Sequence, residues 1–345
     1  MGSVRRAVVA VVWAAMAALL GGGLGGLAQP QVGGTTGAQI LAVGGRQVAW
    51  VNLEAPRDRP VSRLAANAVA VEVTAQPDGS HVVASVTEPF GGGGTRGADL
   101  LNLDLTSGDV SALLQRTDAR ESLDYPAWWP DRATLLFERQ DLGGQTVSPP
   151  GQEVPRYPSR IDRVMADGSG RGTLLDEGRQ PSAAPDGTRL VYARTRNQGA
   201  SILIWSELDG SIQTLIPEGR FADVAYPQFS PSSNQVAFVA PQSGLNGLIK
   251  VERPLLAFDA LFGPTVAYAH GIPWDPWVVN ADGSGLHRVA ETGADEPSVT
   301  WSPDEQQLFV YSGTGSYIVD AQSGEVTPLA FVKGYGPSVW LASAT

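Results

Sequence analysis

"PSVTWSPDEQQLFVYSGTGSYIVDAQSGEV" runs from Pro297 to Val326. A short β-prone stretch leads into a Trp-Ser-Pro-Asp turn, and the apolar run Leu308 to Tyr311 follows. After a brief loop come a second apolar run and a Ser-Gly turn. Proline sets φ at the first turn position, and Asp, Gly or Ser suits the next ones. Aromatic and β-branched residues on either side suit a pleated, buried strand. The stretch therefore reads as consecutive antiparallel strands, and whether it stands alone decides the fold.

It does not stand alone. "YPAWWPDRATLLFER" begins at Tyr125, "QPSAAPDGTRLVYAR" at Gln180, "YPQFSPSSNQVAFVA" at Tyr226 and "EPSVTWSPDEQQLFVYS" at Glu296, with a weaker copy, "VTAQPDGSHVVASV", at Val73. A second piece follows each copy, for example "LLNLDLTSGDVSALL" from Leu100 and "PWVVNADGSGLHRVA" from Pro276. It reads as strand, Asp-Gly or Ser-Gly turn, strand. One unit is thus four antiparallel strands, here A to D. The turn prolines are unevenly spaced, and the excess always falls between strands B and C. Without insertions near 88–99, 141–160 and 242–275, the unit shrinks to the roughly 40–45 residues of a propeller blade.

Five units are complete, and the two ends supply a sixth. Ile40 to Leu64 reads as strands B, C and D, while "GYGPSVWLAS", from Gly334, reads as a lone strand A. Pairing of that last strand with Ile40 to Trp50 would close the ring and remove its exposed edges. The prediction is an all-β, six-bladed propeller over 40–343. The Pro-x-[Trp/Phe]-Ser-Pro-Asp-Gly hairpin followed by strand, Asp-Gly turn and strand resembles the WD40-like repeat of TolB-type propellers. The same repeat builds the propeller of prolyl-oligopeptidase-type enzymes. The resemblance implies the fold and leaves the activity open. Ser232 departs from it at the turn aspartate, and Trp128 with Trp129 crowds a place where one aromatic is usual.

Composition narrows the function. The chain has 345 residues, 43% hydrophobic and 17% charged, with 41 Gly and 25 Pro. No cysteine is present, which excludes disulfides and thiolate metal sites. A net charge of −11 argues against nucleic acid as a partner. Arg5 and Arg6 precede the apolar run Ala7 to Leu20, and Gly26 and Ala28 sit where a signal peptidase reads small residues. Residues 1–28 are expected to be a signal peptide and 29–39 a linker, so the chain is exported, to the periplasm or beyond. Left uncleaved, the same segment is about long enough to anchor in a bilayer.

No catalytic, cofactor or metal residue is assigned. A prolyl-oligopeptidase-like hydrolase needs a further domain and a Gly-x-Ser-x-Gly elbow, and no such elbow occurs. "ADGSG" at Ala166 and Ala281 offers one aspartate where a calcium loop needs several ligands, so it reads as turn chemistry. Trp128, Trp129, Trp205, Phe229 and Trp301 read as core between blades. Trp274, at the end of the longest insertion, is the better candidate of the two for an exposed anchor, with core packing of the insertion as the other reading, and Trp277 begins strand C.

Antiparallel order puts the B–C loops and the D–A connections on one face of the disc. Long loops on a rigid scaffold are where recognition concentrates. The residues just before each strand A rim the channel on that face: Asp124, Tyr125, Arg179, Gln180, Tyr226, Asp295, Glu296 and Tyr335. These, apart from Gln180, and with Trp274, are the candidate ligand- or partner-binding residues. Leu248 to Trp274 is too apolar for a solvated loop and reads as a lid or a partner surface, with a short helix at "RPLLAFDALFG". The first reading is non-catalytic binding of a protein or cell-envelope component, without a cofactor. The alternative is a hydrolase or lyase acting on a sugar or peptide at the channel mouth.

Overall fold

The computed structural model describes residues 39–341 apart from 45, 52, 54–58, 66–67, 77–78, 80, 88–96, 147–155, 197–198, 242–272 and 330–331. All of the described residues belong to one compact unit, Gly37–Thr345. The expected signal segment, the apolar run of the long insertion and its short helix all lie outside the described residues. No helix among the described residues is long and apolar enough to cross a membrane.

This unit is six four-stranded antiparallel sheets, a six-bladed β-propeller. Blade 2 is β4 (Val69–Ala75), β5 (Val82–Thr87), β6 (Ala98–Leu103) and β7 (Val110–Leu114). Blade 3 is β8 (Glu121–Trp128), β9 (Thr134–Asp141), β10 (Ser159–Met165) and β11 (Gly172–Leu175). Blade 4 is β12 (Arg179–Ala183), β13 (Arg189–Arg196), β14 (Gly199–Ser206) and β15 (Ile212–Phe221). Blade 5 is β16 (Ala225–Phe229), β17 (Gln235–Pro241), β18 (Trp274–Asn280) and β19 (His287–Arg288). Blade 6 is β20 (Ser298–Trp301), β21 (Gln307–Tyr311), β22 (Ser316–Asp320) and β23 (Val326–Leu329).

Blade 1 is the composite one. Its order is β24 (Val339–Leu341), β1 (Gln39–Gly44), β2 (Gln47–Val51) and β3 (Arg59–Pro60). Among the described residues, β24 pairs with Gln39, Ile40 and Leu41 of β1. The long connections fall between strands B and C of blades 2, 3 and 5, as the spacing predicts.

Each blade buries both faces against its neighbours, so strand B reads as an almost unbroken apolar run. The five bulkiest fully buried side chains, Tyr192, Tyr311, Phe137, Phe238 and Phe309, all lie on strands B. The core clusters bridge adjacent blades. Leu136 and Ile161 of blade 3 pack with Leu190, Tyr192 and Leu203 of blade 4, and Trp301 and Leu308 of blade 6 pack with Val239 and Val278 of blade 5. Trp128, Phe229 and Trp301 are buried, and Trp129 and Trp205 pack against the cluster between blades 3 and 4, as expected.

Turn chemistry repeats with the blades. In the A–B turns the second residue after proline takes positive φ, 62° at Arg132, 71° at Gly187, 64° at Ser233 and 62° at Glu305. The preceding aspartate stabilises the bend through backbone donors: Asp131 Oδ1 accepts from the N–H of Thr134 at 2.8 Å. The two ADGSG turns work alike, Asp167 accepting from Ser169 N–H at 2.9 Å and Asp282 from Ser284 N–H at 2.8 Å.

Trp274 corrects one expectation. It is 4% exposed and packs in the cluster between blades 5 and 6 with Ala294, Val299 and Trp301. Strand C begins at Trp274 rather than Trp277, because Trp274 pairs with Pro241 across the ladder and exchanges both backbone hydrogen bonds with Ala294. A tryptophan with its backbone tied on both sides is an inter-blade plug, so its indole is not displayed.

Candidate functional site

Five of the six strands A are entered through a residue followed by proline: Tyr125, Gln180, Tyr226, Glu296 and Gly336. All take positive φ, 49°, 52°, 52°, 41° and 85° respectively. For a residue with a side chain this costs about 1–3 kcal/mol. The proline after it has no N–H to give the ladder, so the strand bulges there. Register slips occur between Asp124 and Ala127, Arg179 and Ser182, and Ala225 and Gln228.

In blades 3, 4 and 5 the bend frees an N–H, and an acceptor from the preceding blade receives it. Tyr125 N–H donates to Glu72 Oε2 at 2.6 Å, Gln180 N–H to Glu138 Oε2 at 3.0 Å, and Tyr226 N–H to Gln180 Oε1 at 2.9 Å. These bonds run blade to blade around the channel and offset part of the backbone strain. The rings of Tyr125 and Tyr226 meet edge to face with centroids 5.8 Å apart. They belong to blades 3 and 5, so the pair reaches past blade 4.

Three buried carboxyls converge here: Glu72, Asp124 and Glu138, at 5%, 7% and 3% exposure. Burial, then the charge of Asp124, pushes Glu72 well above the usual carboxylate range. Burial pushes Asp124 up to about 6, against hydrogen bonds from Ser122 and Ser85. Burial and the charge of Asp124 push Glu138 up to about 7, against the pull of Arg179. The cluster thus holds protons near neutral pH. Burial also raises both tyrosines, Tyr226 to about 12, so their hydroxyls stay neutral and can donate or accept.

Beside the acids lies a cationic group. Arg179 donates to Asp223 Oδ1 at 2.5 Å and to Gln180 Oε1 at 2.8 Å. Arg156 reaches the other oxygen of Asp223, Nε at 3.1 Å and Nη2 at 2.6 Å. Asp223 is fully buried, so one hidden carboxylate holds two guanidinium groups.

A cavity of about 740 Å³ opens at the channel mouth. Asp124, Tyr125, Tyr226 and Tyr335 all line it, together with Glu72 and Lys333. Tyr335 is 50% exposed. Its ring lies so close over Gly313 that a Cβ there would collide with it. Burial, then the charges of Asp295 and Glu296, raises its phenol, which places that acidic pair beside it. Arg179 stands behind the cavity wall, on a second cavity. The residue pattern therefore brought Asp124, Tyr125, Tyr226 and Tyr335 onto one surface, with Asp295 and Glu296 adjacent, and it missed Glu72, Glu138, Arg156 and Asp223. No group of three His, Asp or Glu among the described residues could hold a metal ion.

Among solved structures, TolB from Acinetobacter baumannii aligns with a TM-score of 0.61 at 14% identity, over 88% of this chain and 66% of its own. This chain shares the fold of the part of TolB that it covers. No family model matches the sequence, and no curated protein does. The TolB-like ring recurs in a nidogen/laminin complex, at TM-score 0.62, 12% identity, 90% of this chain and 100% of that one. It recurs again in the tricorn protease, at TM-score 0.52, 14% identity, 87% of this chain and 27% of that one. A propeller shared by a nidogen/laminin complex and a protease specifies architecture alone.

Proposed function

We propose that this chain is an exported, non-catalytic binding propeller that takes a protein or cell-envelope component at the channel mouth, on the face carrying the long B–C loops. The observation that carries the reading is the cavity of about 740 Å³ where Tyr125, Tyr226 and Tyr335 from three blades meet. Tyrosine offers a broad apolar face with a polar tip, the combination that anchors recognition surfaces. Export rests on the charged and apolar pattern of the first 28 residues. N-terminal sequencing of protein from the native host should find a start near Gln29, outside the cytoplasm.

The test of binding is capture from envelope extract. Tyr335 is half exposed, so Tyr335→Ala should leave the blades intact. A partner held by the wild-type chain should be lost, about tenfold or more, with both Tyr335→Ala and Tyr226→Ala. Full retention by two folded variants would move the site elsewhere.

One observation favours a second reading, a hydrolase or lyase. Asp124 and Glu138, at about 6 and about 7, have the proton affinities of general acids and bases at neutral pH. Turnover of a peptide or oligosaccharide by the wild-type chain, abolished in Asp124→Asn, would replace the first reading.

A further inference from the structure

Tyr335 is half exposed, yet its backbone is clamped on both sides. A Cβ on Gly334 would strike Val43 O and Tyr311 Oη, and one on Gly336 would strike Val71 O. Gly334 N–H donates to Ser312 O at 3.2 Å, and Gly336 O accepts from Ser298 Oγ at 2.7 Å. The phenol end of the ring rests on Gly313, and the side chain lines the channel-mouth cavity. An aromatic anchor fixed before its ligand arrives loses little freedom on binding.

The charge around this ring is acidic. The loop that seats the phenol also holds Asp295: Ser312 Oγ donates to Asp295 O at 2.9 Å, and Asp295 N–H donates to Thr314 Oγ1 at 3.3 Å. Glu296 follows and is exposed, and the charges of both reach the phenol. Asp124 lines the same cavity, and its hydrogen bonds come from the neutral hydroxyls of Ser122 and Ser85. The arginines nearby are engaged elsewhere. Arg156 and Arg179 pair with Asp223, and Arg116, whose charge Asp124 feels, pairs with Asp99. Lys333 is the one cationic residue lining the cavity among the described residues.

We propose that the channel mouth takes one cationic side chain, a lysine or arginine of a protein partner, laid against the Tyr335 ring with Asp295, Glu296 and Asp124 supplying its counter-charge. This rests on the reading of the channel mouth as the binding site and names what that site selects. The face of an aromatic ring is negative and attracts a cation. Carboxylates beside it accept charge-assisted hydrogen bonds from the ammonium or guanidinium head. The aliphatic stem of either side chain suits the other tyrosines of the cavity, Tyr125 and Tyr226.

The test uses the full chain and three capped pentapeptides, Gly-Gly-X-Gly-Gly, with X as lysine, arginine or norleucine, titrated by NMR at low ionic strength. The lysine or the arginine peptide should bind saturably, about fivefold or more tighter than the uncharged norleucine peptide, and the tighter of the two identifies the head group. Tyr335→Phe keeps the aromatic face and should bind like wild type, while Tyr335→Leu should lose about fivefold. Asp295→Asn combined with Glu296→Gln should weaken binding by a similar factor, and Asp109→Asn, at an exposed carboxylate in blade 2, should change nothing. The proposal is overturned if norleucine binds as well as both cations, if neither cation binds, if Tyr335→Leu matches wild type, or if Asp109→Asn loses as much as the double variant. Should a variant fail to fold, the ring resonances of Tyr335 in the wild-type chain decide: they shift with the cationic peptide, or they stay and the proposal falls. Envelope capture separates this outcome from that of the broader reading. A partner lost with Tyr335→Ala but no preference for a cationic peptide would keep the channel mouth as the binding site and remove the cation. A bound cationic peptide with no captured partner would do the reverse.

Discussion

Glu121 and Glu138 are two glutamates of one blade, and both are hidden, at 2% and 3% exposure. Yet Glu121 is held down at about 2 and Glu138 is pushed up to about 7. Burial raises both. At Glu121 burial is the largest single influence, but the hydrogen bond and charge of Arg171, the N–H of Thr117 and the hydrogen bond from Arg139 together outweigh it. At Glu138 the charge of Asp124 adds to burial, and Arg179 and Arg156 offset only part of it because their hydrogen bonds go to Asp223. Burial sets how much a carboxyl's neighbours matter, and the allocation of arginines sets the outcome.

The sharpest way to break that contrast is Asp223→Asn. It leaves Arg156 and Arg179 without their buried counter-charge, which should cost about 3–5 kcal/mol in urea denaturation. The freed guanidinium groups should turn to Glu138 and lower its titration toward the behaviour of Glu121, visible by carboxyl NMR. An unchanged Glu138 would show that Asp223 does not control it.

Glu138→Gln sharpens the contrast from the other side. The folded wild type keeps the Glu138 proton until about 7, while the unfolded chain releases it near its ordinary value of about 4.3. Wild-type stability from this group is therefore fully present below the unfolded value and lost as pH rises through about 7. Glutamine mimics the protonated acid, and its Oε1 can still accept from Gln180 N–H. The variant should match wild type near pH ~4 and exceed it by about 1–3 kcal/mol above pH ~7. A constant gap across pH would refute the assignment.

Glu121→Gln should give the smaller and opposite effect. Its carboxylate contributes stability above the unfolded value, and that contribution is lost as pH falls through about 2. The variant should be less stable at neutral pH by about 1–2 kcal/mol, with the gap closing on acidification in thermal melts.

The propeller was legible because its signals are local and repeated. A proline, an Asp turn and an apolar strand recur, and each copy checks the others. Pre-proline positions were legible for the same reason: Tyr125, Gln180, Tyr226 and Glu296 occupy one place in four blades. Glu72 and Glu138 were not, since each is a single charge in an apolar strand, in "VAVEV" and "TLLFER", and no local pattern says that two strands far apart in sequence converge. Charged residues on otherwise buried strands were the available signal. Asp223 and Arg156 are harder still. One sits in a D–A connection and the other at the end of an insertion, and only the ring places them together. Trp274 misled because its flanking prolines look like loop, while its backbone pairs with Pro241 and Ala294.

The composite first blade has a consequence for how the molecule is made. Chains emerge from the ribosome N-terminus first, so Gln39 to Leu41 must wait while five other blades are synthesised before Val339–Leu341 arrives to pair with them. Throughout that interval β1 presents an unpaired edge rich in apolar residues, the kind that captures other chains. Ring closure is therefore the last step that the order of the chain allows, and Val339–Leu341 convert an open-edged intermediate into a protein with a closed perimeter.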